Sequence, residues 1–300
     1  MKITIKTALI ILFLLNPALC SAMGAGVTGS SFLRIGAGAR PAALSGAYVA
    51  VADDVSSIYW NPAGMSLIKK NQIGAMHGIW LEGISYECLG YVHKLRNNKS
   101  LGVMINMLSA NDTRRLSKQE SNAGEFGIKD IAVSAGYSQK IQNLVLIGIN
   151  TKFINQSIDQ YSGRTFALDI GCIIMTTRYS RIGFTVQNIG KNITIIDQSS
   201  PLPLTIRVGN SVYLFKNKLL IATDGEFIID GTEKLNLGLE YNIKEIVNLR
   251  GGYQISRAKS ISQEYSAGMG IKYKRLILDY AWVPYGGLGT THRISIQYGY

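Results

Sequence analysis

Cysteine and histidine are scarce in this 300-residue sequence, which contains three of each. Cys20, Cys88 and Cys172 are too isolated to suggest a disulfide framework or a metal site. No histidine has a neighbour at the spacing of a metal ligand or of a catalytic triad partner. The sequence therefore predicts no metal, no cofactor and no enzymatic activity. The histidines are His77, His93 and His292.

Long apolar runs are also missing after residue 22, so the sequence predicts no transmembrane helix there. The preceding residues contain Lys2 and Lys6, then an apolar core from Ala8 to Leu15, then Cys20-Ser21-Ala22. This order is typical of a secretory signal peptide, predicted as residues 1–22. A mature chain that crosses a membrane without such helices must be a β-barrel.

Large apolar residues alternate with polar or small ones from Gln72 onward, which is the period of β-strands. Many runs are about 10 residues long, as in strands that cross a bilayer, whereas strands of soluble proteins average about 5 or 6. The pattern predicts an all-β fold, a transmembrane antiparallel β-barrel of about 14 strands. The predicted strands are residues 72–80, 84–95, 100–108, 126–140, 144–155, 165–176, 182–190, 203–215, 219–230, 235–243, 247–256, 264–273, 276–284 and 290–300.

The connections between the predicted strands alternate in length. Turns after even-numbered strands are tight, whereas most connections after odd-numbered strands are longer. Because bacterial barrels have short periplasmic turns and longer outer loops, we expect both ends of the barrel sequence in the periplasm. The longer connections are residues 109–125, 156–164, 191–202 and 257–263.

The formal net charge is +12, which falls to +10 when Lys2 and Lys6 leave with the signal peptide. A basic chain raises the question of nucleic-acid binding. The positive residues, however, are scattered among strand ends and turns, with no basic stripe beside stacking aromatics. We therefore predict no nucleic-acid partner, and attraction to acidic lipid headgroups or acidic cargo stays open.

The segment from Gly36 to Met65 differs from the rest of the chain because small residues dominate it. Pro41 is placed where a first helical turn could begin, and Asp53 or Asp54 could cap a second short helix. Asn61-Pro62-Ala63-Gly64 then breaks the chain sharply. Such turns bury too little apolar area to be stable alone, so we expect them to pack inside a larger structure.

These motifs resemble the N-terminal signature of PorV/PorQ-type outer-membrane proteins, a group within the FadL-like (OmpP1/FadL) β-barrel superfamily. The resemblance rests on residues 32–44, on Ala52-Asp53-Asp54 and on Trp60-Asn61-Pro62-Ala63-Gly64. It implies a bacterial outer-membrane location and a small N-terminal plug, or hatch, with short helical turns inside the barrel. The predicted domains are a plug at residues 23–71 and a barrel at residues 72–300. The predicted plug motif comprises Arg40, Pro41, Asp53, Asp54, Trp60, Asn61, Pro62, Ala63 and Gly64.

Charged residues on the predicted inner face of the wall need water or partners. We expect Arg40, Asp53 and Asp54 to supply them, so that ionic contacts hold the plug against the wall. The charged wall residues predicted to point inward are Glu87, Lys152, Arg207, Asp224, Glu226, Glu240, Arg250, Asp279 and Arg293.

Two functions follow from the resemblance. A PorV/PorQ-type role in type IX-like secretion would involve secretion-system components and secreted polypeptides, with residues 109–125 and 191–203 as the binding surface. A FadL-like uptake channel would instead bind hydrophobic small molecules such as fatty acids, in an apolar pocket of the lumen near the plug. Both place the protein among outer-membrane lipids. The candidate ligand-contacting residues are Ile58, Tyr59, Trp60 and Met65.

Overall fold

The computed structural model of the protein describes residues 28–110, 127–142, 144–257 and 264–300. The predicted signal peptide lies outside the described residues, as do residues 23–27 of the predicted plug and most of the predicted connections at residues 109–125 and 257–263. No helix in the described part of the chain is long and apolar enough to cross a membrane.

Fourteen strands form a closed antiparallel barrel, which confirms the predicted fold class. Neighbours in sequence are neighbours in the wall, and β1 closes the barrel by pairing with β16. The barrel strands are β1 (Gln72–Ile79), β2 (Ser85–Lys94), β3 (Lys99–Ala110), β4 (Ile128–Ile141), β5 (Val145–Ile158), β6 (Tyr161–Met175), β7 (Ser180–Gly190), β10 (Thr205–Leu214), β11 (Leu219–Ile228), β12 (Glu233–Ile243), β13 (Val247–Ser256), β14 (Tyr265–Tyr273), β15 (Leu276–Pro284) and β16 (Thr290–Gly299). Two further strands, β8 (Ile193–Ile195) and β9 (Gln198–Ser200), pair only with each other.

The two faces of the wall differ as the alternation predicts. Large apolar side chains such as Leu239, Tyr253 and Ile294 point outward and are about half exposed. Polar and charged side chains such as Arg207, Asp224 and Asp279 point inward and are buried. An apolar band around a closed barrel is the exterior of a transmembrane β-barrel.

Residues 28–71, which we call the luminal segment, lie inside this barrel. They contain α-helices at Ala39–Ala43 and Ser57–Trp60, and 3-10 helices at Ser31–Arg34 and Pro62–Leu67. Nearly every residue from Ala39 to Met65 is buried, although the segment itself is too short to form a core. Most of its buried apolar side chains join inward residues of the wall in one cluster, and Ala39, Ala42 and Ala43 join Ala281 and Val283 in a second. The lumen is therefore the core of the molecule.

The barrel has two different ends. At the turn end, β1 begins, β16 ends, and short turns join each even strand of the wall to the next one. At the loop end, a short 3-10 helix follows β1 at Leu81–Gly83 and another follows β15 at Gly286–Leu288. The β8–β9 hairpin also lies there, in the connection between β7 and β10.

Two expectations at the loop end and in the wall are wrong. The connection predicted at residues 156–164 is almost entirely strand, because β5 and β6 extend to Ile158 and Tyr161. The connection at residues 191–202, by contrast, is long as predicted, and it contains the β8–β9 hairpin. Glu87 points outward, where its Oε1 lies 2.6 Å from Nδ1 of His77. Both faces of β2 carry apolar residues, so the alternation there does not fix which face is inside.

Candidate functional site

A belt of glycines on the inner wall accommodates the luminal segment. Glycines face each other across neighbouring strands, so the wall is thin at these points. The pairs are Gly74 with Gly90, Gly102 with Gly136, Gly148 with Gly171, Gly183 with Gly209, and Gly238 with Gly252. A Cβ on Gly171 would overlap Oδ1 of Asn61, and a Cβ on Gly148 would overlap the backbone at Pro62 and Ala63. The sequence analysis missed this belt, although glycine at alternate strand positions is visible in the sequence.

The turn at Asn61 to Gly64 sits directly on this belt. The Asn61 amide donates from Nδ2 to the carbonyl of Val49 at 2.9 Å and to the carbonyl of Cys172, on β6, at 3.2 Å. Its Oδ1 accepts from the backbone nitrogen of Ala63 at 3.2 Å, which caps the 3-10 helix that Pro62 begins. Gly64 has no room for a Cβ because the carbonyl of Ala52 occupies that position. Each residue type of the motif thus has a packing reason.

Arg40 joins the luminal segment to the wall. Its Nε and Nη2 donate to the two carboxylate oxygens of Glu240 on β12, at 2.7 and 3.0 Å. Its Nη1 donates to Asp53 at 2.6 Å. Glu240 also accepts from Arg250, whose Nη1 reaches Asp279 at 2.7 Å. Bidentate, charge-assisted contacts of this kind are the strong ones, and here they form a continuous network.

The acidic residues of the network have separate roles. Asp53 bridges Arg40 and Arg181, the latter at 3.5 Å. Asp54 accepts from the hydroxyl of Tyr48 at 2.8 Å and from Gln297, on β16, at 3.3 Å. The structure therefore brings Arg40, Asp53 and Asp54 together, as the sequence suggested, while Pro41 lies buried in the preceding short helix.

The predicted ligand-contacting residues are packed between the luminal segment and the wall. Ile58 and Met65 are fully buried, and Met65 lies against Gly102 and Gly136. Tyr59 donates to the carbonyl of Leu33 at 2.6 Å, and Trp60 donates to the carbonyl of Ala37 at 2.7 Å. Their role in ligand binding stays a prediction.

Of these four residues, Trp60 lines a cavity with a volume of about 120 Å³. The guanidinium of Arg207 lies 4.8 Å from the centre of the Trp60 ring, and Arg207 pairs with Glu226 at 3.0 Å. Charged groups therefore dominate this part of the lumen, in contrast to the apolar pocket near the plug that was expected from the sequence. The cavity is also lined by Arg34, Gln254, Lys234 and Arg293.

A second cavity, of about 340 Å³, lies at the loop end and is mainly apolar. It is framed by the extended β5–β6 hairpin and by the β8–β9 hairpin. Just after β9, the carbonyl of Pro201 accepts a hydrogen bond of 2.9 Å from the backbone nitrogen of Gly29, in the luminal segment. At the edge of the cavity stands Ile196, which is 62% exposed and has a φ of 58°. Its apolar lining comprises Ile158, Tyr161, Ile193, Ile195 and Ile196.

No group of histidine, cysteine, aspartate or glutamate side chains within the described ranges is arranged to hold a metal ion. Cys88 is buried and Cys172 is partly buried, and both thiols are free. His77, His93 and His292 lie on the outward face of wall strands, away from the ionic network in the lumen. Polar groups of the lumen such as Arg40, Asn61 and Arg293 hold the backbone or one another.

A closed fourteen-strand barrel with an apolar exterior and a filled lumen defines a transmembrane barrel of the outer-membrane type, which confirms the predicted location. Its fold is that of FadL-like channels. The CymD monoaromatic hydrocarbon channel matches with a TM-score of 0.68 and 12% identity, over 89% of this chain and 98% of CymD. The toluene transporter TbuX of Ralstonia pickettii matches with a TM-score of 0.67 and 12% identity, over 88% of this chain and 98% of TbuX. A FadL homologue of Pseudomonas aeruginosa matches with a TM-score of 0.58 and 12% identity, over 87% of this chain and 98% of the homologue.

Sequence comparison adds a family match but no function. Residues 22–164 match the model of an uncharacterised protein family, UPF0164. A search of curated proteins returns no match. At the identities given above, the structural similarity establishes the fold alone. The PorV/PorQ part of the resemblance receives no support from these comparisons.

Proposed function

We propose that the protein is a non-enzymatic channel that takes up hydrophobic small molecules across the outer membrane. The fold supports this proposal, since the matched structures include channels for monoaromatic hydrocarbons and a toluene transporter. Residues 28–71 would act as a plug that closes the lumen to water. The uptake function and the plug function both go beyond what similarity of fold establishes.

The observation that carries the proposal is the position of Ile196. Ile196 is the first residue of the two-residue turn that joins β8 and β9, where hairpin turns require a positive φ, and a β-branched residue is rare in that conformation. Here the strained residue places an exposed apolar side chain at the mouth of an apolar cavity in the outer rim. A cavity of this size and lining is suited to capturing a small apolar molecule before it enters the barrel.

Uptake of radiolabelled toluene and of a long-chain fatty acid tests the proposal in cells that express the protein and no other channel of this fold. We expect Ile196→Asp to reduce the initial uptake rate several-fold, because it puts a charge at the apolar cavity. The substitution should not disturb folding, since aspartate tolerates positive φ better than isoleucine.

Leu288→Asp is the matched control, because Leu288 is also an exposed apolar residue at the loop end but does not line the cavity. The control should take up both compounds at the wild-type rate. Equal uptake by Ile196→Asp and wild type, or no uptake above cells without the protein, would contradict the proposal.

The secretion function is the weaker hypothesis. Of its two predicted binding loops, residues 109–125 lie almost wholly outside the described residues, and residues 191–203 fold back on the barrel with Ile193 and Leu202 buried. No described contact favours a polypeptide at the loop end. Recovery of secreted polypeptides bound to the purified protein, lost on deletion of residues 109–125, would reverse this preference.

A further inference from the structure

The positive charges that are scattered in sequence converge at the turn end of the barrel. Lysine or arginine occurs in or beside nearly every short turn, and two lysines lie one residue before β1. Among the described residues, Glu245 is the only acidic residue in those turns. The cations are Lys69, Lys70, Lys94, Arg96, Lys99, Lys140, Arg178, Arg181, Lys216, Lys218, Lys244, Lys272, Lys274 and Arg275.

A subset of these cations lines a vestibule of about 930 Å³ that opens along the barrel axis. Its walls come from β1, β2, β4, β7, β14 and β16, which lie on different sides of the barrel, and from the end of the luminal segment. Its floor includes Ser66, Leu67 and Ile68. The cationic lining residues are Lys69, Lys70, Lys94, Lys140, Arg181, Lys272, Lys274 and Arg275.

Most of this charge is not neutralised by the residues that the structure describes. Asp53 is the one acidic residue that lines the vestibule within the described ranges, and it already pairs with Arg40 and Arg181. The ammonium group of Lys94 donates to the carbonyl of Ser66 at 2.9 Å and to the hydroxyl of Ser100 at 3.3 Å, both uncharged. The ion pairs within the described part of the chain include none of the other vestibule lysines.

We infer that this vestibule is a docking surface for an acidic polypeptide in the periplasm. Short turns face the periplasm in bacterial barrels, so the turn end faces that compartment. A concave site lined by one sign of charge focuses its field and raises both the local concentration and the association rate of a partner of opposite charge. The partner that fits is a soluble protein, or an exposed segment of one, with several aspartate or glutamate side chains.

The position of the cations favours a polypeptide over a lipid. Phospholipid headgroups surround the outer circumference of a barrel, whereas the vestibule opens along its axis. Lys69 and Lys70 belong to the luminal segment, and Arg181 faces the lumen beside Asp53. A chain that enters from the periplasm reaches these groups, and lipids packed around the wall do not.

Binding of a fluorescent poly-L-glutamate peptide to the full-length protein in phosphatidylcholine nanodiscs tests this inference by fluorescence anisotropy. Four vestibule lysines are replaced by glutamine in one variant, and four cations of the loop end are replaced in a control with the same net charge. The vestibule variant is Lys69→Gln, Lys140→Gln, Lys272→Gln and Lys274→Gln. The control variant is Lys129→Gln, Arg164→Gln, Lys191→Gln and Arg257→Gln.

We expect wild type and control to bind the peptide with similar affinity, weakening as salt screens the charges. The affinity of the vestibule variant should be at least roughly tenfold lower, because the modest contributions of four exposed charges add together. Equal affinities for the two variants would overturn the inference.

A lipid alternative is tested by adding phosphatidylglycerol to the nanodiscs and measuring by native mass spectrometry how many of these lipids each protein retains. Loss of retained lipid in the vestibule variant, together with unchanged peptide binding, would show that the surface serves lipid headgroups and would overturn the inference. Toluene uptake is a separate measurement, so failure of the uptake proposal leaves this test intact.

Discussion

Arg40 is the residue that ties the luminal segment most directly to the wall. It contacts Glu240, Asp53 and Tyr48 at once, and its side chain is only 14% exposed. In such a buried setting the partner carboxylates depend on the arginine, because an unpaired buried charge is costly. The residue type is determined by this geometry, since a lysine could not make the bidentate contact with Glu240.

Replacing Arg40 by glutamine should destabilise the protein by roughly 3–5 kcal/mol, the cost of breaking a buried ion pair from one side. Urea unfolding in detergent, followed by tryptophan fluorescence, measures this change. Arg257→Gln is the control, because Arg257 pairs with Glu233 while 83% exposed, and should cost between about 0 and 1 kcal/mol. Similar losses in both variants would show that the Arg40 network does not hold the segment.

The sequence could indicate the members of this network but not their pairing. Arg40, Asp53 and Asp54 stand out because they are charged residues in a segment of small ones. That Glu240, two hundred positions away, is the partner of Arg40 depends on the register of the whole barrel. The error at Glu87 has a similar origin, since Tyr86 and Val92 on one face of β2 are as apolar as Leu89 and Tyr91 on the other.

At the scale of elements, the wall strands were predictable and their inner surface was only partly so. All fourteen predicted barrel strands occur, with ends within four residues of the predicted ones, because alternation and turn residues are local signals. The β5–β6 extension and the β8–β9 hairpin were not predicted. Residues 156–164 and 191–202 are rich in polar residues and lack alternation, so their strand pairing depends on tertiary contacts.

The glycine belt yields a prediction at this scale. Gly171→Ala should destabilise the protein by roughly 1–3 kcal/mol, the usual cost of overpacking, because its Cβ would overlap the Asn61 side chain. The temperature at which the barrel loses its heat-resistant, compact migration in gel electrophoresis measures the effect.

Gly251→Ala provides the comparison, since a Cβ at Gly251, on β13, meets no atom within 4 Å. That variant should match wild type or be slightly more stable, because alanine reduces the conformational freedom of the unfolded chain. Equal stability of Gly171→Ala and Gly251→Ala would mean that the turn at Asn61 does not rest on the belt.

At the scale of the whole molecule, topology sorts features that are interspersed in sequence. On the wall, large apolar side chains go mainly to the outside and charged ones mainly to the lumen, while many of the cations that have no ion pair among the described residues lie at the turn end. The formal charge of +12 did not by itself indicate where on the molecule the positive residues lie. The basic residues are scattered along the sequence, and only the folded barrel brings the turns after even strands to one end. The number of strands was predictable from sequence, whereas the filling of the lumen depends on how closely the luminal segment fits the wall.

The central claim is that the luminal segment closes the barrel to water and ions. Conductance of the purified protein in planar bilayers tests it most directly. We predict that wild type shows no steady open channel, and that Arg40→Gln combined with Asp54→Asn raises the ion leak by loosening the segment. Steady conductance steps from the wild-type protein, like those of a water-filled porin, would contradict the account.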